Sequence, residues 1–255
     1  MRFKIIPLAP LFVALQAAAQ TNVQHIALGD SLYEAMEPAQ ALEHYRAAFD
    51  VSNYEMLWKF AQAQIDVAKQ LIDDRYESVR DSLYGVARLY AEAAVAADSL
   101  GPDGHFMLAL AIGRLSRTKG GRERVRFGRL IYQESAEALR LDPMHAGAHH
   151  VIGVWHAEIR RLSGLTRTFA RALMGADFMR IAAWDSAVVH LERAVEIEPS
   201  YIFHRLELAE VYVDLDRYAD ARRQLRALLP LEHSDVNDGL HQARARELLQ
   251  EIADR

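Results

Sequence analysis

The sequence predicts an all-α protein, a solenoid of about five helical hairpins with a helical insert in the fourth and a capping helix at the C-terminus. Three observations carry this. Apolar residues make up 51% of the 255, with Ala and Leu dominant and Pro and Gly few. Runs of alternating polarity are absent, so strands are not expected. A small–large–small pattern at i, i+4 and i+7 recurs, first as Ala41, Tyr45 and Ala48 and later as Ala187, Leu191 and Ala194. That spacing marks one side of a helix. Finally, Gly29 stands twelve residues ahead of Ala41, as Ala209 does of Ala221, which gives each second helix the same partner in the helix before it.

The chain opens with Arg2 and Lys4, an apolar run from Ile5 to Leu15, and Ala17-Ala18-Ala19. A basic start, a short apolar stretch and small residues at a cleavage site are the parts of a secretory signal peptide. A leader over 1–19 is therefore expected, with an exported mature chain, periplasmic or in the cell envelope if the source is a diderm bacterium. The run is short of the ~20 residues of a membrane span, and no other segment reaches that length. With no Cys, disulfides, thiolate metal sites and a lipid-modified cleavage site are excluded.

The repeat domain is expected over 22–255. Leu28-Gly29 lies in the first helix, and Pro38 starts the second, where its missing N–H costs little. Tyr54–Ile72 reads as a helix with Leu57, Trp58, Ala61, Ile65 and Ala68 inward. Val79–Ala97 follows, with Tyr84, Ala87, Ala91 and Ala94 as its seam, and Gly101-Pro102 ends it. His105–Arg117 begins the third hairpin, with Phe106, Leu110 and Gly113 inward, and Arg122–Leu141 completes it. The fourth pairs Ile152-Gly153 with Ala187, Leu191, Ala194 and Pro199. These residues resemble a tetratricopeptide repeat, whose period is about 34 residues, here pulled apart by the insert Ser163–Ala182. Leu208, Ala209, Tyr212, Tyr218, Ala221, Leu225 and Leu228 form the fifth hairpin. Charge-rich Asn237–Asp254 suits a cap with one wet face.

Once the hairpins are placed, the chain resembles the regulator of microtubule dynamics family, which includes a mitochondrial outer-membrane tether that interacts with a protein tyrosine phosphatase. The resemblance runs from about His105 to the C-terminus and is weaker upstream. It is densest in His150-Val151-Ile152-Gly153-Val154-Trp155, Leu162, Arg167-Thr168-Phe169-Ala170, Leu173, Ala187, Leu191, Ala194 and Pro199. It implies a helical-repeat domain with a groove and no catalytic residues. It also implies association with microtubules for eukaryotic members, and phospholipid binding and transfer for the tether. An export signal would take this chain away from microtubules, so only the groove is carried over.

The net charge of −5 conceals an asymmetry: 13 basic and 6 acidic residues between His105 and Arg180 give +7, while both flanks are acidic. The row Arg114, Arg117, Lys119, Arg122, Arg124, Arg126 and Arg129 reads as a solvated face or as an anion site. Nucleic acid is not expected of an exported, acidic protein. His145, His149 and His156 share helical spacing, but without His-Glu-x-x-His they read as structural or groove-lining histidines, and no metal or cofactor is expected. No nucleophile elbow, phosphate loop or dinucleotide fingerprint appears, so no enzyme is expected. In the insert, Leu165, Phe169, Leu173 and Met174 share a face while Arg167 and Arg171 point elsewhere. A ligand groove lined by Trp155, Phe169 and Leu173 and rimmed by Arg167 and Arg171 is expected, unless the insert simply plugs the array. The chain then reads as a scaffold for protein or peptide partners, with a binder or carrier of an anionic phospholipid as the alternative.

Overall fold

Capping residues set where the helices begin and end. The computed structural model describes residues 9–255, and no strand occurs among them. The first hairpin pairs α1 (Ala9–Glu34) with α2 (Pro38–Ala47), and the second α3 (Tyr54–Lys69) with α4 (Glu77–Ala97). The third pairs α5 (Pro102–Ser116) with α6 (Gly121–Leu141). In the fourth, α7 (Ala146–Arg161) is followed by the insert helix α8 (Gly164–Met174) and then by its partner α9 (Trp184–Ile197). α10 (Ile202–Asp214) and α11 (Tyr218–Leu228) form the fifth hairpin, and α12 (Asp238–Glu251) caps it. Pro38 and Pro102 occupy first-turn positions. Asn53, His145 and Ser163 each accept a backbone N–H that α3, α7 and α8 leave unpaired, at 3.0–3.1 Å. Gly175, at φ +66°, ends α8 in the left-handed conformation. Of the expected leader, residues 1–8 lie outside the described residues, and from Ala9 onward its backbone belongs to α1.

Each hairpin packs on the next, so the helices form a continuous array. Two glycines show why the repeat pattern works. A Cβ on Gly29 would lie 2.5 Å from the Tyr45 ring, and one on Gly153 would lie 2.6 Å from Leu191 Cγ and 3.1 Å from the Ala187 carbonyl. In these two hairpins the first helix thus touches its partner where a glycine meets the large residue of the small–large–small face. Tyr45 and Leu191 are both buried. Three apolar clusters continue along the array. They centre on Tyr45 and Phe60, on Ile65, Met107 and Phe127, and on Leu191, Leu208 and Leu225.

The third hairpin departs from expectation. Phe106, Leu110 and Gly113 are only half-buried, while Met107, Leu108, Ala111, Ile112 and Leu115 are buried. Helix α5 packs against α3, α4, α6 and α7, so it buries more than one stripe, and a single apolar face understates its core.

Candidate functional site

The first helices of the hairpins bring a polar seam together. Tyr33, from α1, donates its hydroxyl to the Asp66 carboxylate on α3. One turn on, Lys69 places its ammonium 2.8 Å from Asp66 and 2.5 Å from Asp235, in the loop ahead of α12. Tyr201, at the start of α10, donates to the same Asp235 oxygen at 3.0 Å. The side chains of Lys69, Asp66 and Asp235 are 8%, 10% and 7% exposed, which makes this a buried network. It ties the second hairpin to the end of the fifth, 166 positions along the chain.

The electrostatics of the seam follow from burial and pairing. Burial works to lower the Lys69 ammonium, but its two carboxylates outweigh it and hold Lys69 above the ordinary lysine value. Burial works to raise Asp235, but Lys69, the Asn237 N–H and Tyr201 hold it below the usual carboxylate value. Tyr33 and Tyr201 are pushed up, by burial first and then by the carboxylates they face. Beside them, His150 on α7 and His204 on α10 approach Nδ1 to Nδ1 at 3.0 Å. One ring must donate and the other accept. Burial, then the nearby His204, Arg114, His241 and Lys69, hold His150 well below its ordinary value, so it is neutral. Glu207 is pushed up to about 7 by burial and by Glu210, with Arg161 and Arg114 opposing. Among the described residues, the Arg114 side chain has no hydrogen-bond or ion-pair partner, and its Nε is buried.

The residues expected to form one groove are divided. Trp155 is buried, donates its indole N–H to the Gly128 carbonyl at 2.6 Å, and packs against Tyr132 and Phe178. Arg167 turns back to the end of α7, donating to the carbonyls of Arg160 and Leu162 at 2.9 and 2.6 Å. Arg171 lies 3.8 Å from the Asp177 carboxylate. Phe169 and Leu173 are exposed, together with Leu165. This placement has a simple physical cause. Helix α8 buries its narrow side, Ala170 with Met174, against Val125 of α6, where Gly121 leaves room for the Met174 side chain. Its large apolar residues therefore face away from Trp155.

The histidines also resolve. His145 caps α7. His149 pairs with His190 of α9 at 2.9 Å, and the His156 ring stacks near His190. Burial holds all three of His149, His156 and His190 below the ordinary value, His190 at about 4. Asp235, Asp238 and His241 offer ligand atoms within 4.8 Å of one another, the set closest to a cation site. Every carboxylate oxygen there already takes a protein donor: Lys69, Tyr201 and the Asn237 N–H on Asp235, and the Ser234 and Asp235 N–H groups and His241 on Asp238. Of the arginine row, Arg117, Arg122, Arg124, Arg126 and Arg129 are exposed and only Arg114 reaches the seam. Sequence reasoning missed Lys69, Asp235, His190 and Glu207. Glu207 alone left a trace, as a carboxylate between Leu206 and Leu208 in an apolar helix.

The family model described as "Regulator of microtubule dynamics protein 1-3" matches residues 25–253. Regulator of microtubule dynamics protein 1 of Bos taurus is 25% identical over 190 residues, covering 73% of this chain and 58% of that protein. Regulator of microtubule dynamics protein 3 of Rattus norvegicus is 24% identical over 250 residues, covering 94% and 52%. The chain thus spans about half the length of these curated relatives. Among solved structures, a thermophilic TPR protein of Thermus thermophilus superposes with a TM-score of 0.63 at 21% identity, over 89% of this chain and 99% of that one. Pseudomonas aeruginosa pilF superposes with a TM-score of 0.54 at 14% identity, over 92% and 87%. The fold is a tetratricopeptide-like helical-repeat solenoid. The expectation of an exported periplasmic or cell-envelope protein is corrected: the matched relatives are eukaryotic regulators of microtubule dynamics. No helix among the described residues is long and apolar enough to cross a membrane.

Proposed function

The chain belongs to the regulator of microtubule dynamics family, and we propose that it is a non-enzymatic scaffold holding a protein or peptide partner against its polar inner seam. One observation carries this reading. Arg114, a permanently charged fork of donors, stands without a partner where the first helices converge, beside Glu207 and His150. A guanidinium so placed suits a partner's carboxylate, which it can grip through two parallel hydrogen bonds. Tyr33, Asp66, Lys69, Asp235 and Tyr201 are engaged with one another. Lys69 is held charged between two carboxylates and His150 is held neutral, an arrangement that supports recognition over proton transfer. The alternative of an anionic phospholipid in the groove loses support, because the residues expected to line it are split between core and surface.

With export withdrawn, the reason for setting microtubules aside goes with it, and the relatives' names make polymerised tubulin the first partner to try. The test compares the chain with its Arg114→Gln variant in microtubule co-sedimentation and in affinity capture of cell proteins. A charge-assisted hydrogen bond contributes about 1.5–3 kcal/mol, so the variant should retain the partner at least about tenfold less well, with an unchanged thermal melt. Equal retention by both would remove the seam from partner binding.

A further inference from the structure

The insert helix leaves a large apolar face uncovered. Leu165, Phe169 and Leu173 recur at i, i+4 and i+8 of α8 and are 85%, 56% and 61% exposed, although a chain normally buries such residues. Helix α8 carries no carboxylate, and its own Arg167 and Arg171 turn to the end of α7 and to Asp177. It rests on the first turns of α6, where Arg122, Arg124, Arg126 and Arg129 are all exposed. Arg129 reaches across to the Gly175 carbonyl at the end of α8, so this arginine belt lies beside the insert helix. The acidic residues nearby, Glu123 and Asp177, already have arginine partners.

From this placement we infer that α8 is a docking element for the surface of an anionic lipid bilayer. A helix that lies in a membrane interface needs an apolar ridge to enter the acyl boundary and basic side chains beside it to meet the headgroups. Here the ridge is about 12 Å long at 1.5 Å per residue, and the arginines can keep their charged ends in the headgroup layer while their stems lie on apolar surface. Charge complementarity selects the occupant. A second copy of the chain would set arginines against arginines. A protein partner that recognises a helix lays it in a groove, whereas α8 offers a convex ridge packed on its narrow side. The docked species is the bilayer itself, with the polar seam left free for another partner.

The test uses the purified full chain and vesicles of phosphatidylcholine alone, or with about one-third phosphatidylserine. The chain should sediment with the anionic vesicles and not with the neutral ones. The triple variant Leu165→Gln, Phe169→Gln, Leu173→Gln should bind at least about tenfold less well. Arg122→Gln and Arg126→Gln should each weaken binding by about fivefold. Phe169→Trp should shift its emission to the blue on vesicles and be quenched by brominated acyl chains, measured against Trp58, Trp155 and Trp184 in the parent. Circular dichroism melts establish that the variants fold. The inference is overturned if the wild type binds neither vesicle, if it binds both equally, or if the triple variant binds as the wild type does. A dimer in sedimentation velocity that the triple variant dissociates, without vesicle binding, would assign the face to a second copy instead.

Discussion

The polar seam and the insert helix are opposites. At the seam, Lys69, Asp66 and Asp235 are charged and buried; on α8, Leu165, Phe169 and Leu173 are apolar and exposed. Both break the rule that apolar residues go inside and charges outside, and the consequences differ. A buried charge must be paired, because each partner removed leaves the other desolvated. An exposed apolar side chain costs the fold little and is free for something outside it. The seam therefore holds the array together, while α8 is a surface whose worth appears only in company.

The largest effect expected from this contrast is at Lys69. Lys69→Met removes the ammonium and leaves Asp66 and Asp235 facing each other across the seam. Breaking a buried pair in this way costs about 3–5 kcal/mol, read as a fall in the urea midpoint. A loss below about 1 kcal/mol, the worth of a surface pair, would mean that water reaches the seam and that the two ends of the array are not locked.

Gly153→Leu is next. A Cβ there meets Leu191 Cγ at 2.6 Å and the Ala187 carbonyl at 3.1 Å, so overpacking should cost about 1–3 kcal/mol. The same substitution at Gly164, where a Cβ would meet nothing within 4 Å, is the control in the insert and should change the thermal melt far less.

The seam also titrates. Glu207, at about 7 in the folded chain against an ordinary 4.5, binds its proton more tightly folded than unfolded. Its contribution to stability is full below pH 4.5 and is lost as the pH rises through 7. Glu207→Gln removes that loss, so at pH 8 the variant should exceed the wild type by about 1 kcal/mol once partial solvent access is allowed for. At about pH 4.5 the two should agree. His150 has the opposite sign. Held neutral in the fold, it takes up a proton on unfolding, so its contribution falls as the pH drops below 6.5 in both proteins. Denaturant titrations at the two pH values separate the groups.

The sequence made the hairpins legible because their contacts are local. The face Ala187, Leu191 and Ala194 identifies a helix side, and a glycine facing it identifies a close approach. The seam was not legible, because Lys69 and Asp235 meet only when the array curls, and nothing in the helical period says how far it curls. The buried side of the insert was not legible for a different reason. Periodicity shows that Leu165, Phe169 and Leu173 share a face, but which face is buried depends on the neighbour. Helix α6 accepts Ala170 and Met174 beside Gly121 and leaves the large face outside. His190 escaped notice because His149 finds it 41 positions away, on the far side of the insert.

The smallest expected effect sharpens the contrast most. If the α8 face contributes nothing to the fold, Leu165→Gln, Phe169→Gln and Leu173→Gln should each move stability by no more than about 0.5 kcal/mol. These side chains are more than half solvated already, so replacing them removes little buried apolar surface and opens no cavity. Ala170→Gln on the buried side of the same helix is the counterpart. Ala170 is 6% exposed and packs against Val125 and Ala176. A longer side chain there must force α8 off α6 or distort the contact, at about 1–3 kcal/mol. Melts of the two variants in the absence of lipid decide the point. A large loss from the triple variant would show that Leu165, Phe169 and Leu173 hold the insert in place, and the uncovered face would then belong to the fold.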